Sequence, residues 1–102
     1  MGKIAIDRSL EEVEIRNYFE EMYVEIEDII VKEIIDSIEK IVSFYDKASK
    51  FEVAFKFGIM LMKESMIIYD NYKYYFDSRN VNVWNINGIV GRRVEYYVKK
   101  LW

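Results

Sequence analysis

The 102-residue sequence contains no cysteine, histidine, proline, threonine or glutamine, and only four glycines. Without cysteine no disulfide framework can form, so nothing marks the chain as secreted. Without cysteine and histidine, zinc, haem and iron–sulfur sites lose their usual ligands. Every Ser–His, Cys–His or histidine acid/base mechanism is excluded as well. Carboxylate, lysine, arginine, tyrosine and serine remain. That narrow kit points away from an enzyme, and no metal or cofactor is expected. The longest apolar run, residues 58–62, falls far short of the ~20 residues of a membrane span. Asp7 and Arg8 interrupt the first apolar positions, which do not read as a signal peptide. An intracellular protein with no membrane contact is therefore expected.

Apolar residues make up 52% of the chain and charged residues 32%, which suits a globular domain rather than a disordered one. The length suits one domain spanning 1–102. Residues 1–50 carry seven basic and thirteen acidic side chains, and residues 51–102 carry eight and five. The halves are thus opposite in charge. They read either as two solvated faces or as an acidic unit beside a basic binding unit.

Residues 3–7 alternate as an edge strand does. Ser9 with Glu12 fits a helix capping box, yet Val13, Ile15, Asn17 and Phe19 alternate with charged and polar neighbours. Residues 13–18 and 22–27 are read as a β-hairpin. A helical spacing through Ile15, Phe19, Met22 and Ile26 competes with it. The clearest element is a helix over 29–47, capped by Asp28. Its stripe is Ile30, Ile34, Ile38, Ile41, Val42 and Tyr45. Residues 51–57 alternate with Phe and Val on one face and suit a strand ending at Gly58. A helix through Phe51, Phe55, Ile59, Met62 and Met66 fits equally, and periodicity does not separate the two. Further strands are expected at 66–69, 72–76 and 81–85, with turns at 70–71 and 77–80. A second helix over 87–101, capped by Asn85 or Asn87, carries Ile86, Val90, Val94, Tyr97, Val98 and Leu101.

The two halves echo one another. An offset of 57 pairs Ile15 with Tyr72, Phe19 with Phe76, Glu20 with Asp77 and Val24 with Val81. One residue of slippage then pairs Ile30 with Ile86, Ile34 with Val90, Ile38 with Val94 and Ile41 with Tyr97. The expected fold is therefore α+β: two similar strand-hairpin-helix units, 1–50 and 51–102, packed about a pseudo-two-fold axis. Identities between the halves are very few. A groove where the two units meet would be a favoured binding site.

The richness in isoleucine, tyrosine and charge, the missing cysteine, histidine and glutamine, and the aromatic stretch NYKYYFDSRNVNVW resemble the small proteins of viruses that infect hyperthermophilic archaea. In length and two-unit layout the chain is similar to those of the filamentous viruses of Acidianus. Six asparagines depart from thermophile habit. The resemblance implies a duplicated small fold, no enzyme chemistry, a role in protein–protein contact and, for a viral protein, the host cytoplasm as its location. It supplies no site residues.

Three constellations compete for function. The carboxylates Glu11, Glu12, Glu14, Glu20, Glu21, Glu25, Glu27 and Asp28 could serve Mg²⁺ or glycoside chemistry, or form a solvated acidic face. Gly88 and Gly91 before Arg92 and Arg93 could cradle phosphate or echo a KH-type clamp, or allow close helix packing. The aromatics Tyr72, Tyr74, Tyr75, Phe76, Trp84, Tyr96, Tyr97 and Trp102 could line a binding groove, or half of them could fill the core with the rest incidentally exposed. Tyrosine and tryptophan join large area to a polar handle and favour binding surfaces. The expectation is a non-enzymatic adaptor that holds an extended segment of a viral or host protein. Tyr74, Trp84 and Tyr96 would anchor it, and Arg92 or Arg93 would meet an acidic group. Nucleic-acid binding through the aromatics with Lys73, Arg79, Arg92, Arg93, Lys99 and Lys100 is the alternative, and a minor virion structural protein is another.

Overall fold

A computed structural model describes residues 4–47 and 50–99, with 50–55 described through the backbone alone. These residues are 81% helix and contain no strand, so the α+β expectation is wrong. The described elements are α1 (Arg8–Glu21), α2 (Asp28–Lys47), α3 (Lys50–Asn71), the short α4 (Lys73–Asp77) and α5 (Val83–Val98). The hairpin expected at 13–18 and 22–27 is α1 followed by a turn. The strands at 51–57 and 66–69 lie inside α3, and that at 72–76 falls on α4. Residues 81–82 are a loop from which 83–85 open α5, and 4–7 have no regular structure. Residue 3 and the end of the expected 87–101 helix lie outside the described residues.

The physical reason is visible in α1. Its buried residues are Glu11, Ile15 and Phe19, an i, i+4, i+8 row on one helix face. Val13, which strand alternation would place beside Ile15, is mostly exposed. With no proline or glycine in α1, nothing interrupts its five glutamates, two arginines and Leu10, all good helix formers. The Asp7 carboxylate accepts from the Leu10 amide at 3.2 Å and caps the start, two residues before the expected Ser9 cap.

The helix predicted at 29–47 is observed at 28–47 with the predicted stripe buried, widened by Val31 and Ile35. Six or more such side chains, each contributing ~1.5–3 kcal/mol on burial, make α2 a principal source of stability. The last helix starts at 83, four residues earlier than read. Asn82 is its cap: the Asn82 side chain accepts from the Asn85 amide at 3.0 Å, and the Asn85 side chain accepts from the Asn82 amide at 2.9 Å. This reciprocal pair satisfies donors that a helix start leaves open.

The echo between the halves corresponds to two matching turns. After α1, the Val24 amide donates to the Phe19 carbonyl at 2.8 Å and the Tyr23 amide to Glu20 at 2.9 Å. After α4, Val81 donates to Phe76 at 2.9 Å and Asn80 to Asp77 at 3.2 Å. Both are Schellman endings, with Tyr23 and Asn80 at φ of 60° and 58°. Phe19, Val24, Phe76 and Val81 are all buried, and the Phe19 and Phe76 rings stack 6.3 Å apart. The sequence echo thus marks two similar helix endings. Strand-hairpin-helix units are not found, since the described residues contain no strand.

α5 packs against α1, α2 and α3, and α2 also touches α1 and α3. One continuous buried cluster runs from Ile15 to Val98. A Cβ on Gly91 would meet Leu61 Cδ2 at 3.3 Å, so this glycine lets α5 lie close on α3.

Candidate functional site

Every fourth residue of α5 from Trp84 points outward: Trp84, Gly88, Arg92 and Tyr96 are all surface residues, with Trp84 66% exposed. The 3.6-residue turn sets them in a row about 18 Å long at ~1.5 Å per residue. Beside the row runs the C-terminal end of α1. Tyr18, Glu21 and Met22 face Trp84, Asn85, Gly88, Ile89 and Arg92 across a groove of about 210 Å³. The Arg92 guanidinium lies 5.6 Å from the Tyr18 ring centre. A Cβ added at Gly88 would meet nothing within 4 Å, so the groove floor there is bare helix backbone under open space.

The other face of α5 holds the most buried charge. Arg93 donates from Nε and Nη2 to the two Glu11 oxygens, both at 2.7 Å, and the Tyr97 hydroxyl donates to Glu11 Oε2 at 2.5 Å. Glu11 is fully buried and Arg93 nearly so. The hydrogen bond to Glu11 holds Arg93 even more firmly protonated than usual, against the opposing pull of burial. Burial first, then the bond to Glu11, pushes the Tyr97 phenol well above its ordinary range. The triad ties the start of α1 to the end of α5, which fixes the two walls of the groove against each other.

Of the residues picked from sequence, Trp84 and Arg92 line this groove, and Tyr96 stands one turn beyond Arg92. Arg93 does not join them. It points into the chain and spends its donors on Glu11, so the reading of Arg93 as a partner's acid clamp gives way to a structural role. It also lies 4.6 Å from the Tyr96 ring centre. Tyr74, 93% exposed, sits on α4 outside the groove.

The tyrosine-rich stretch is otherwise turned inward, because its period is helical. Tyr72 donates to the Glu33 carboxylate, Tyr75 to the Glu25 carbonyl at 2.5 Å, and Tyr69 to Asp77. Phe76 is fully buried, with Tyr69, Tyr72 and Tyr75 around it. Arg79 stacks 3.7 Å above the Tyr75 ring. These aromatics fasten α4 and its turn to the rest of the chain.

The glycine pair is no phosphate cradle. α5 begins at Val83, so Gly88 and Gly91 lie inside the helix, beyond the four open amides of its first turn. Of the acidic crowd, Glu11 pairs with Arg93, and Glu12 and Asp28 with Arg16, while Glu20, Glu21, Glu25 and Glu27 stand exposed on the surface. Among the described residues no three acidic side chains gather as a metal site, and no helix is long and apolar enough to cross a membrane.

The hairpin reading of 13–18 and 22–27 does not reach Tyr18, Glu21 and Met22 as groove residues or Glu11 as a buried anchor. The i, i+4 row from Glu11 to Phe19 was the signal that would have placed them. No protein-family model, curated protein or solved structure matches the chain.

Proposed function

We propose that the protein is a non-enzymatic binding protein that holds a segment of a partner protein along the outer face of α5. The observation that carries this reading is the row Trp84–Gly88–Arg92–Tyr96 beside the α1 wall. Tryptophan, tyrosine and arginine are the side chains most often found to dominate protein interfaces. A bare glycine between them leaves a seat for an incoming apolar side chain. The row's length of about 18 Å matches five or six residues of extended chain at ~3.3 Å each. With no sheet edge among the described residues to extend, such a segment is held by side chains rather than by strand addition. Trp84 stacks on an apolar or aromatic residue, Gly88 seats it, and Arg92 meets an acidic residue one or two positions on.

Selection from a displayed library of short peptides tests this. Retained peptides are expected to share an aromatic or large aliphatic residue near an acidic one. They should quench or shift Trp84 emission in a Trp102→Phe background and lose binding with Trp84→Ala or Arg92→Glu. A selection that yields no peptide sensitive to either substitution rejects the reading. A low-salt gel shift supplies the contrast: retardation of nucleic acid that weakens steeply with salt would favour the basic surface instead.

A further inference from the structure

α3 carries a second outward face, which shares no lining residue with the α1/α5 groove. Ile59, Met62, Met66 and Ile67 line a shallow hollow of about 670 Å³, with Lys63 and Asp70 as its two charges. Ile59 is 68% exposed and Met66 50%, unusual for large apolar side chains on a helix whose opposite side already packs on α2 and α5. Spacings of three and four along Ile59, Met62 and Met66 are those of a helix–helix seam. Isolated exposed apolar residues need no explanation, but an aligned stripe marks a contact surface.

The charges identify the occupant. Lys63 and Asp70 are opposite in sign and two helical turns apart, and neither forms an ion pair within the described residues. An identical helix laid antiparallel, with the two-fold axis at Met66 and Ile67, sets Lys63 against Asp70 of the second copy and Asp70 against its Lys63. Met66 then meets Ile67 across the axis. A parallel copy would set like charges together, which costs energy. The face is therefore complementary to itself in one orientation only.

We propose that the protein forms a two-fold dimer through antiparallel pairing of α3, sealed by Met66 and Ile67 and registered by the reciprocal Lys63–Asp70 pairs. A single helix face is a small interface, so monomer and dimer exchange with concentration.

Sedimentation equilibrium across a wide concentration range reads this directly. The weight-average mass should rise from the 12.4 kDa of one chain toward twice that value. Lys63→Asp or Asp70→Lys alone should weaken association by about tenfold, since each turns both symmetric attractions into repulsions. The double exchange, Lys63→Asp with Asp70→Lys, should restore it. Because the chain has no cysteine of its own, introduced cysteines report position: Met66→Cys should oxidise readily to a disulfide-linked dimer, and Ile59→Cys should not. Circular dichroism confirms that each variant remains helical. A chain monomeric at every concentration, a double exchange that fails to restore association, or an Ile59→Cys that crosslinks as readily as Met66→Cys would overturn the proposal.

Discussion

Arg92 and Arg93 are neighbours in sequence with different surroundings. Arg92 stands at the groove over Tyr18, while Arg93 is locked by two hydrogen bonds to a fully buried carboxylate. Sequence alone presents them as one basic pair. What separates them is the 100° between successive helix positions together with a distant residue, Glu11, whose burial is legible only once α1 is known to be helical. Breaking a buried pair by removing one partner leaves the other charge stranded, at a cost of about 3–5 kcal/mol. Glu11→Gln should therefore lower stability by roughly that amount in urea titration. Glu11→Leu with Arg93→Met and Tyr97→Phe should recover most of it, because the Tyr97 hydroxyl also donates to Glu11 and a fully apolar trio strands nothing.

Tyrosine gives a second residue-scale test. Burial, then the Glu95 charge, pushes the Tyr45 phenol up to about 12, and Tyr97 is pushed up as well. In the unfolded chain both ionise near 10. Between the two values the folded state retains protons that the unfolded state releases, so stability falls as pH rises. Stability contributed by the neutral phenols is fully present below about pH 10 and lost from there upward. Tyr45→Phe should flatten part of that alkaline loss, measured as denaturant midpoints at pH 9, 10 and 11 or thereabouts.

At the scale of elements, α2 was fully legible: its boundaries and its stripe match the structure within a residue. α1 and α3 were not, because short apolar alternation and helical spacing coincide in both. In α3 even the helical alternative picked a row, Ile59, Met62 and Met66, that faces outward, while Glu64, Ser65 and Ile68 are the residues turned in. Hydrophobicity did not identify the inner face here. Glu64 is accommodated inside by Ser37 and Lys40 of α2, whose side chains donate to its two oxygens at 3.3 and 3.1 Å. The echo between the halves is legible as a local feature, since Phe–x–x–x–x–Val marks a helix ending in both places, and it carries no strand hairpin. Tyr23 occupies the left-handed position of the first ending and is 98% exposed. A β-carbon is disfavoured there, so Tyr23→Gly should raise the melting temperature or leave it unchanged. Asn82→Ala should lower stability by about 1 kcal/mol through loss of the α5 cap.

Across the whole molecule, the core fixes α5 from three sides and leaves one face open, and that face carries the aromatic, basic and glycine residues that the binding reading uses. Trp84, Arg92 and Tyr96 were picked from sequence for composition alone, and the helix supplies the geometry that aligns them. Gly88 separates binding from folding. Inside a helix, with open space above it, glycine costs about 1 kcal/mol relative to a good helix former. Packing does not demand it, as it does at Gly91. The most direct measurement pairs thermal unfolding with peptide titration for Gly88→Leu. Melting should rise by several degrees, about 4–8 °C for each kcal/mol gained, while affinity for the selected peptides collapses as leucine fills the seat. A variant that is more stable and binds those peptides as tightly as the parent protein would contradict the α5 groove as the binding site.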